Sequence, residues 1–97
     1  MSSIISTRSA QAFNGGYDFK LANTEVYKGT MYLHGNKIAW HDSKGNICFC
    51  LCGWDTQTTR ARLRAIGLPI NHKQGQLYYA DIKINDEDDY NTEDLNK

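Results

Sequence analysis

From Thr24 onward the chain alternates apolar and polar residues in short runs, TEVYKG, TMYLHG, KIAWHD and NICFCLC. Short runs rich in β-branched and aromatic residues, parted by glycine-containing turns, predict antiparallel strands. Gly35-Asn36 and Ser43-Lys44-Gly45-Asn46 are the turns on offer, with glycine supplying left-handed backbone. The reading is a meander of about three strands over residues 30–52. The period then changes. WDTQTTRARLRAIGLP offers Asp55 or Thr56 as N-cap, a body of good helix formers, Gly67 as a stop and Pro69 beyond it. Leu63 and Ile66, with Thr59 one turn earlier, make an inward stripe at helical spacing. LPINHKQGQLYYADIKI predicts one more hairpin over about residues 68–84, turning at Gln74-Gly75.

Hairpin arithmetic assigns faces. A turn at Gly35-Asn36 pairs Tyr32 with Ala39, and one at Lys44-Gly45 pairs His41 with Cys48. Opposed residues share a face. Met31, Leu33, Ile38, Trp40, Ile47, Phe49 and Leu51 then form the core face, covered by the helix. The cysteines Cys48, Cys50 and Cys52 fall on the other face with Tyr32, His34, Lys37, Ala39 and His41. A different register would shift the pairing by one residue, and the alternation within each strand is expected to survive. The fold class is therefore α+β: an antiparallel meander of about four to five strands with one α-helix on its apolar face.

Three cysteines at every second position raise the question of metal. Same-face neighbours on one strand lie about 6.6 Å apart. Thiolates sharing a zinc ion lie about 3.8 Å apart, given a Zn–S bond of about 2.3 Å. One straight strand cannot bring all three to one ion, and a disulfide between i and i+2 is poor geometry. The cysteines read as small, weakly polar strand residues; no metal and no cofactor is expected. A Cys48–His41 nucleophile pair can be drawn, but only Asp42 offers to orient it and nothing indicates an oxyanion hole, so no enzyme is expected.

Composition narrows the class. At 97 residues, 40% apolar and 23% charged, the chain suits one small globular domain. No apolar run approaches the roughly 20 residues of a membrane span. The start, MSSIISTRSAQAF, lacks the pattern of a signal peptide. A cytoplasmic location with reduced thiols is the expectation. The zero net charge hides a split: residues 1–80 carry nine bases and four acids, and residues 81–97 carry seven acids and two lysines. Residues 1–22 read as an irregular arm or edge strand, 23–84 as the compact domain, and 85–97 as an acidic, solvated tail.

The charge pattern supplies candidate contacts. Arg60, Arg62 and Arg64 on the helix, with Tyr78 and Tyr79, suit a protein interface or single-stranded nucleic acid. Asp86, Glu87, Asp88 and Asp89 could contact a basic partner or fold back on the arginines.

NTEVYKGTMYLHGNKIAW, CGWDTQTTRARLRAIGLPI and QGQLYY together resemble a group of small tailed-phage proteins. In these an LHGN.IA hairpin precedes a GW.T.TT..RL helix start and a WYLNG-type strand. His34, Gly35, Asn36, Ile38, Ala39, Gly53, Trp54, Thr56, Thr58, Thr59, Arg62 and Leu63 match, whereas LYYAD departs from the last strand. The resemblance covers about residues 23–80 and carries no activity to transfer. It implies a phage accessory protein at work inside an infected bacterial cell. The leading expectation is a non-enzymatic protein that binds a host or phage protein. The alternative is a single-stranded nucleic-acid-binding module, with zinc- or thiol-dependent activity a remote third.

Overall fold

The computed structural model describes residues 4–96; residues 1–3 and 97, the outermost parts of the expected arm and tail, lie outside the described residues. Helix α1 spans Ile4–Gly15. Strands β1 (Phe19–Leu21), β2 (Thr24–Tyr27), β3 (Thr30–Leu33), β4 (Asn36–His41) and β5 (Ile47–Phe49) follow, then helix α2 (Gln57–Ala65). Strands β6 (Ile70–Lys73), β7 (Gln76–Tyr79), β8 (Ile82–Ile84) and β9 (Tyr90–Asn91) and the short helix α3 (Thr92–Leu95) complete the chain. The class is α+β, with one antiparallel sheet ordered β1-β2-β3-β4-β5-β9 and a second ordered β6-β7-β8.

The turns explain the first departure from the sequence reading. Leu33 pairs with Asn36, so the β3–β4 turn sits on His34-Gly35 rather than Gly35-Asn36. His34 has φ of +52° and Gly35 of +80°, the doubly left-handed form whose twist matches flanking strands. The same X-Gly turn closes Lys28-Gly29 and Gln74-Gly75. A bulge then breaks the expected alternation: Tyr32 pairs with Lys37 but Met31 with Ala39. One extra residue reverses the phase of a strand. Ile38 and Ala39 are both buried, and Trp40 is turned out of the core face. Beyond it Trp40 pairs with Cys48, and His41 with Ile47.

The second departure lies at the ends. Residues 4–15 are helical, not an irregular arm, and bury Ser6, Ser9, Ala10, Ala12 and Phe13. These positions follow a helical stripe, but small and polar residues fill most of it, so mean hydropathy hides it. Residues 19–21 do form the edge strand that the sequence suggested. At the far end, Tyr90 and Asn91 pair with β5, and the Tyr90 ring stacks on Phe49 at 5.5 Å. Tyr90 and Leu95 pack against the main core, so much of residues 85–96 is docked rather than solvated. The hairpin expected over 68–84 gains a third strand, because Ala80-Asp81 turns the chain once more.

One face of the large sheet carries the core. Helix α2 is capped by Thr56, whose hydroxyl accepts from the Thr59 N–H. Thr59 and Leu63 of the helix and Ile66 at its C-cap are buried, as the spacing predicts. Phe49 stacks on Tyr79 of the small sheet at 5.7 Å, and Phe13 of α1 stacks on His41 at 4.4 Å. Helices and small sheet thus lie on one side of the six strands. Leu63 is fully buried, so Leu63→Ala should cost about 2–5 kcal/mol in urea unfolding; a variant as stable as the parent would contradict this packing.

Candidate binding surface

The five residues singled out as partner contacts do not form one surface. Arg62 is 6% exposed and points into the core. Its Nε donates to the Thr24 hydroxyl at 2.9 Å and a terminal nitrogen donates to the Ser6 hydroxyl. Burial lowers its pKa. Arg60 is held by Asp55, whose other oxygen lies 3.5 Å from His72 Nε2. Arg64 is exposed and donates to the Ile70 carbonyl at 3.3 Å. Tyr79 is buried, with its hydroxyl donating to Asn96; Tyr78 is half-buried. The helical ridge therefore reduces to Arg60 and Arg64.

The acidic segment docks beside β5, and the carboxylate on Arg60 comes from Asp55. The Asn85 side chain accepts from the N–H groups of Glu87 and Asp88, closing a tight turn. Carbonyls of this turn receive the Gly53 N–H (at Asp86) and the Cys50 thiol (at Glu87). Glu87, Asp88 and Asp89 stay exposed and Asp86 is half-buried. Strand β9 is fixed by Asp42, whose carboxylate accepts from the side chains of Asn91 (2.9 Å) and Asn46 (3.2 Å) and from the N–H groups of Lys44 and Asn46. Led by the Asn91 bond, these donors outweigh desolvation and hold the Asp42 pKa at about 2.

The cysteines are drawn into the backbone. Burial pushes the Cys50 thiol up to about 12. The Cys52 thiol donates to the Lys37 carbonyl at 2.9 Å. Burial raises Cys48 as well. The bulge and register place His41 and Cys48 on opposite faces of the sheet, so the nucleophile pair drawn from sequence does not assemble. Among the described residues, no three His, Cys, Asp or Glu side chains gather in a metal-holding arrangement.

What the structure does bring together is a pocket that the sequence reading missed. Leu33, Ile38 and Leu51 floor it, beside Thr59, and its rim is His34, Asn36, Trp54, Thr56 and Thr58. The cavity volume is about 210 Å³. The His34-Gly35 turn forms one wall. The other wall follows a second left-handed pair, Cys52 at φ +55° and Gly53 at +76°. There the Trp54 N–H donates to the Leu51 carbonyl, and Trp54 stands 57% exposed at the start of α2. An exposed indole next to an apolar floor is an unusual surface for a side chain of this size. A second groove, over Lys20, Asn23, Glu25, Tyr32 and His34, opens on the other side of the β3–β4 turn.

With fold and pocket defined, the comparisons place the chain. It matches the family model of the Kyanoviridae Gp96 protein over residues 2–97, and it belongs to that family. It is therefore a phage protein. No curated protein matches the chain, and no solved structure matches it. No described helix is long and apolar enough to cross a membrane.

Two outcomes test this geometry. The low pKa makes the Asp42 contribution to stability complete above the ordinary carboxylate value near 4, and that contribution is lost as pH falls through about 2. The drop in melting temperature over that interval should be smaller in Asp42→Asn than in the parent, and equal drops would show that Asp42 does not pin β9. Cys50, as a neutral thiol, should resist maleimide at pH about 8, where an ordinary thiol with pKa near 8.5 is partly ionised. Mass mapping that finds Cys50 labelled as fast in the native protein as in urea would contradict its burial.

Proposed function

We propose that this Kyanoviridae protein is a non-enzymatic accessory module that binds a host or phage protein in the cytoplasm of the infected bacterium, and that the pocket beside Trp54 receives an apolar side chain of that partner. The exposure of Trp54 over an apolar floor carries the reading. A volume of about 210 Å³ is below the roughly 300–1,000 Å³ of small-molecule and cofactor sites, and suits one inserted side chain. Tryptophans flanking such pockets dominate protein interfaces. The rim supplies His34, Asn36, Thr56 and Thr58, polar groups able to hydrogen-bond a partner backbone. The raised thiols and the separation of Cys48 from His41 favour binding over thiol chemistry.

The alternative nucleic-acid reading on the arginine helix loses support, because Arg62 and Tyr79 are interior. Trp54→Ala gives the test of the pocket. The ring is largely exposed, so the melting temperature should change little, while affinity for a partner captured by the parent from infected cells should fall by about 2 kcal/mol or more. Undiminished capture by the variant would overturn the assignment.

A further inference from the structure

The other face of the large sheet has a different chemistry. Register fixes its membership: Lys20 opposes Glu25, Glu25 opposes Tyr32, and Tyr32 opposes Lys37. Tyr27 on β2 and Trp40 on β4 share that side, Trp40 because of the bulge. Tyr27 is 47% exposed, Lys20, Lys28 and Lys37 are exposed, and Tyr32 and Trp40 are half-buried. Among the described residues, no helix covers these rings. The Lys37 ammonium lies 4.2 Å from the centre of the Trp40 ring, and that of Lys28 5.3 Å from the centre of the Tyr27 ring. Both are within cation–π range.

We propose that this open face binds single-stranded nucleic acid, with Tyr27, Tyr32 and Trp40 stacking on bases and Lys20, Lys28 and Lys37 holding phosphates. Three features select that ligand over a protein. The strand positions on this face from β1 to β4 carry aromatic, hydroxyl and charged side chains and no aliphatic one, and its rings stand among lysines and a glutamate, residue types depleted from the cores of protein interfaces. Cations beside the rings match a ligand that alternates π-faces with negative charge. Two carboxylates oppose the three lysines there, Glu25 and Asp18, the latter accepting from the Lys28 N–H; Asp42, Asp89 and Asp94 gather instead about Cys48, the β5 partner of Trp40. The acids beside Cys48 border the site at β5, so an anionic strand lies over β1–β4 and ends at Trp40. Rings on a sheet reach bases only when the bases are unstacked from a partner strand, so duplex is not the ligand. The site is separate from the Trp54 pocket, which opens on the helix side.

Fluorescence anisotropy with a labelled oligothymidine of about 12 nucleotides tests the proposal. Log affinity should fall with log salt with a slope of about −2, from three lysines at about 0.7 each on a single strand. Lys28→Gln with Lys37→Gln should cut that slope to about −0.7. Tyr32→Ala should weaken binding about tenfold with the slope unchanged, and Trp54→Ala should bind as the parent does. Circular dichroism confirms folding, and the exposed lysine pair keeps the test valid should Tyr32→Ala unfold. The proposal fails if the parent does not bind in 50 mM salt, or if the double lysine variant keeps the parental slope. It fails equally if a duplex or a glutamate decamer competes as well as the single strand, the latter marking a face for acidic protein.

Discussion

The buried guanidinium of Arg62 ties the molecule together. It reaches from α2 to Ser6 on α1 and Thr24 on β2, three segments far apart in sequence. Placing a cation in the interior costs several kcal/mol unless its donors are met. Among the described residues, no buried side-chain nitrogen or oxygen lacks a partner. Ser6 of α1 is buried as an acceptor for the arginine, and Ser9, one turn on, donates to the Ser6 carbonyl. Fixing α2 to α1 and β2 sets where the N-terminus of α2 lies over the β3–β4 hairpin. The Trp54 pocket depends on that placement, since one wall is hairpin and the other is helix start.

The same interaction shows why the sequence was only partly legible. Helix α2 and its inward stripe were readable, because Thr56, Leu63 and Ile66 follow capping and spacing rules with few exceptions. Helix α1 was not, because Ser6 and Ser9 look like surface residues until the partners of their hydroxyls, Arg62 and the Ser6 carbonyl, are known. The role of Arg62 was hidden for the matching reason: among three arginines in five positions, nothing local marks one as interior. Trp40 was assigned to the core by an alternation that a single bulged residue reverses. Tyr79 was offered as a binding ring although its neighbours Leu77 and Ile70 are core. The docking of Tyr90 depends on a pairing with β5 across the chain, and its acidic surroundings conceal it.

Charge division in the chain becomes a division in space. Acids near β5 and β9 sit at one end of the large sheet, Lys20 and Lys28 lie toward the other, and Lys37 stands between them on β4. Asp42 belongs to the body yet holds the C-terminal strand through Asn91, so attachment of the tail rests on charge-assisted hydrogen bonds. Sequence reasoning had looked for carboxylate-to-arginine contact. The two tryptophans mark the two sides that remain: Trp54 above the helix-side pocket and Trp40 under Lys37 on the open face.

Hydrogen exchange of the arginine side chains reaches the central claim most directly. The chain has four arginines, Arg8, Arg60, Arg62 and Arg64, each with one Nε–H signal in a nitrogen–proton NMR spectrum. Arg62 Nε–H is bonded to Thr24 in the interior, so one of the four signals should exchange with solvent far more slowly than the others and vanish in Arg62→Lys. Four signals exchanging at the rate of an exposed arginine would show that Arg62 is a surface group, and that another interaction holds α1, α2 and the sheet together.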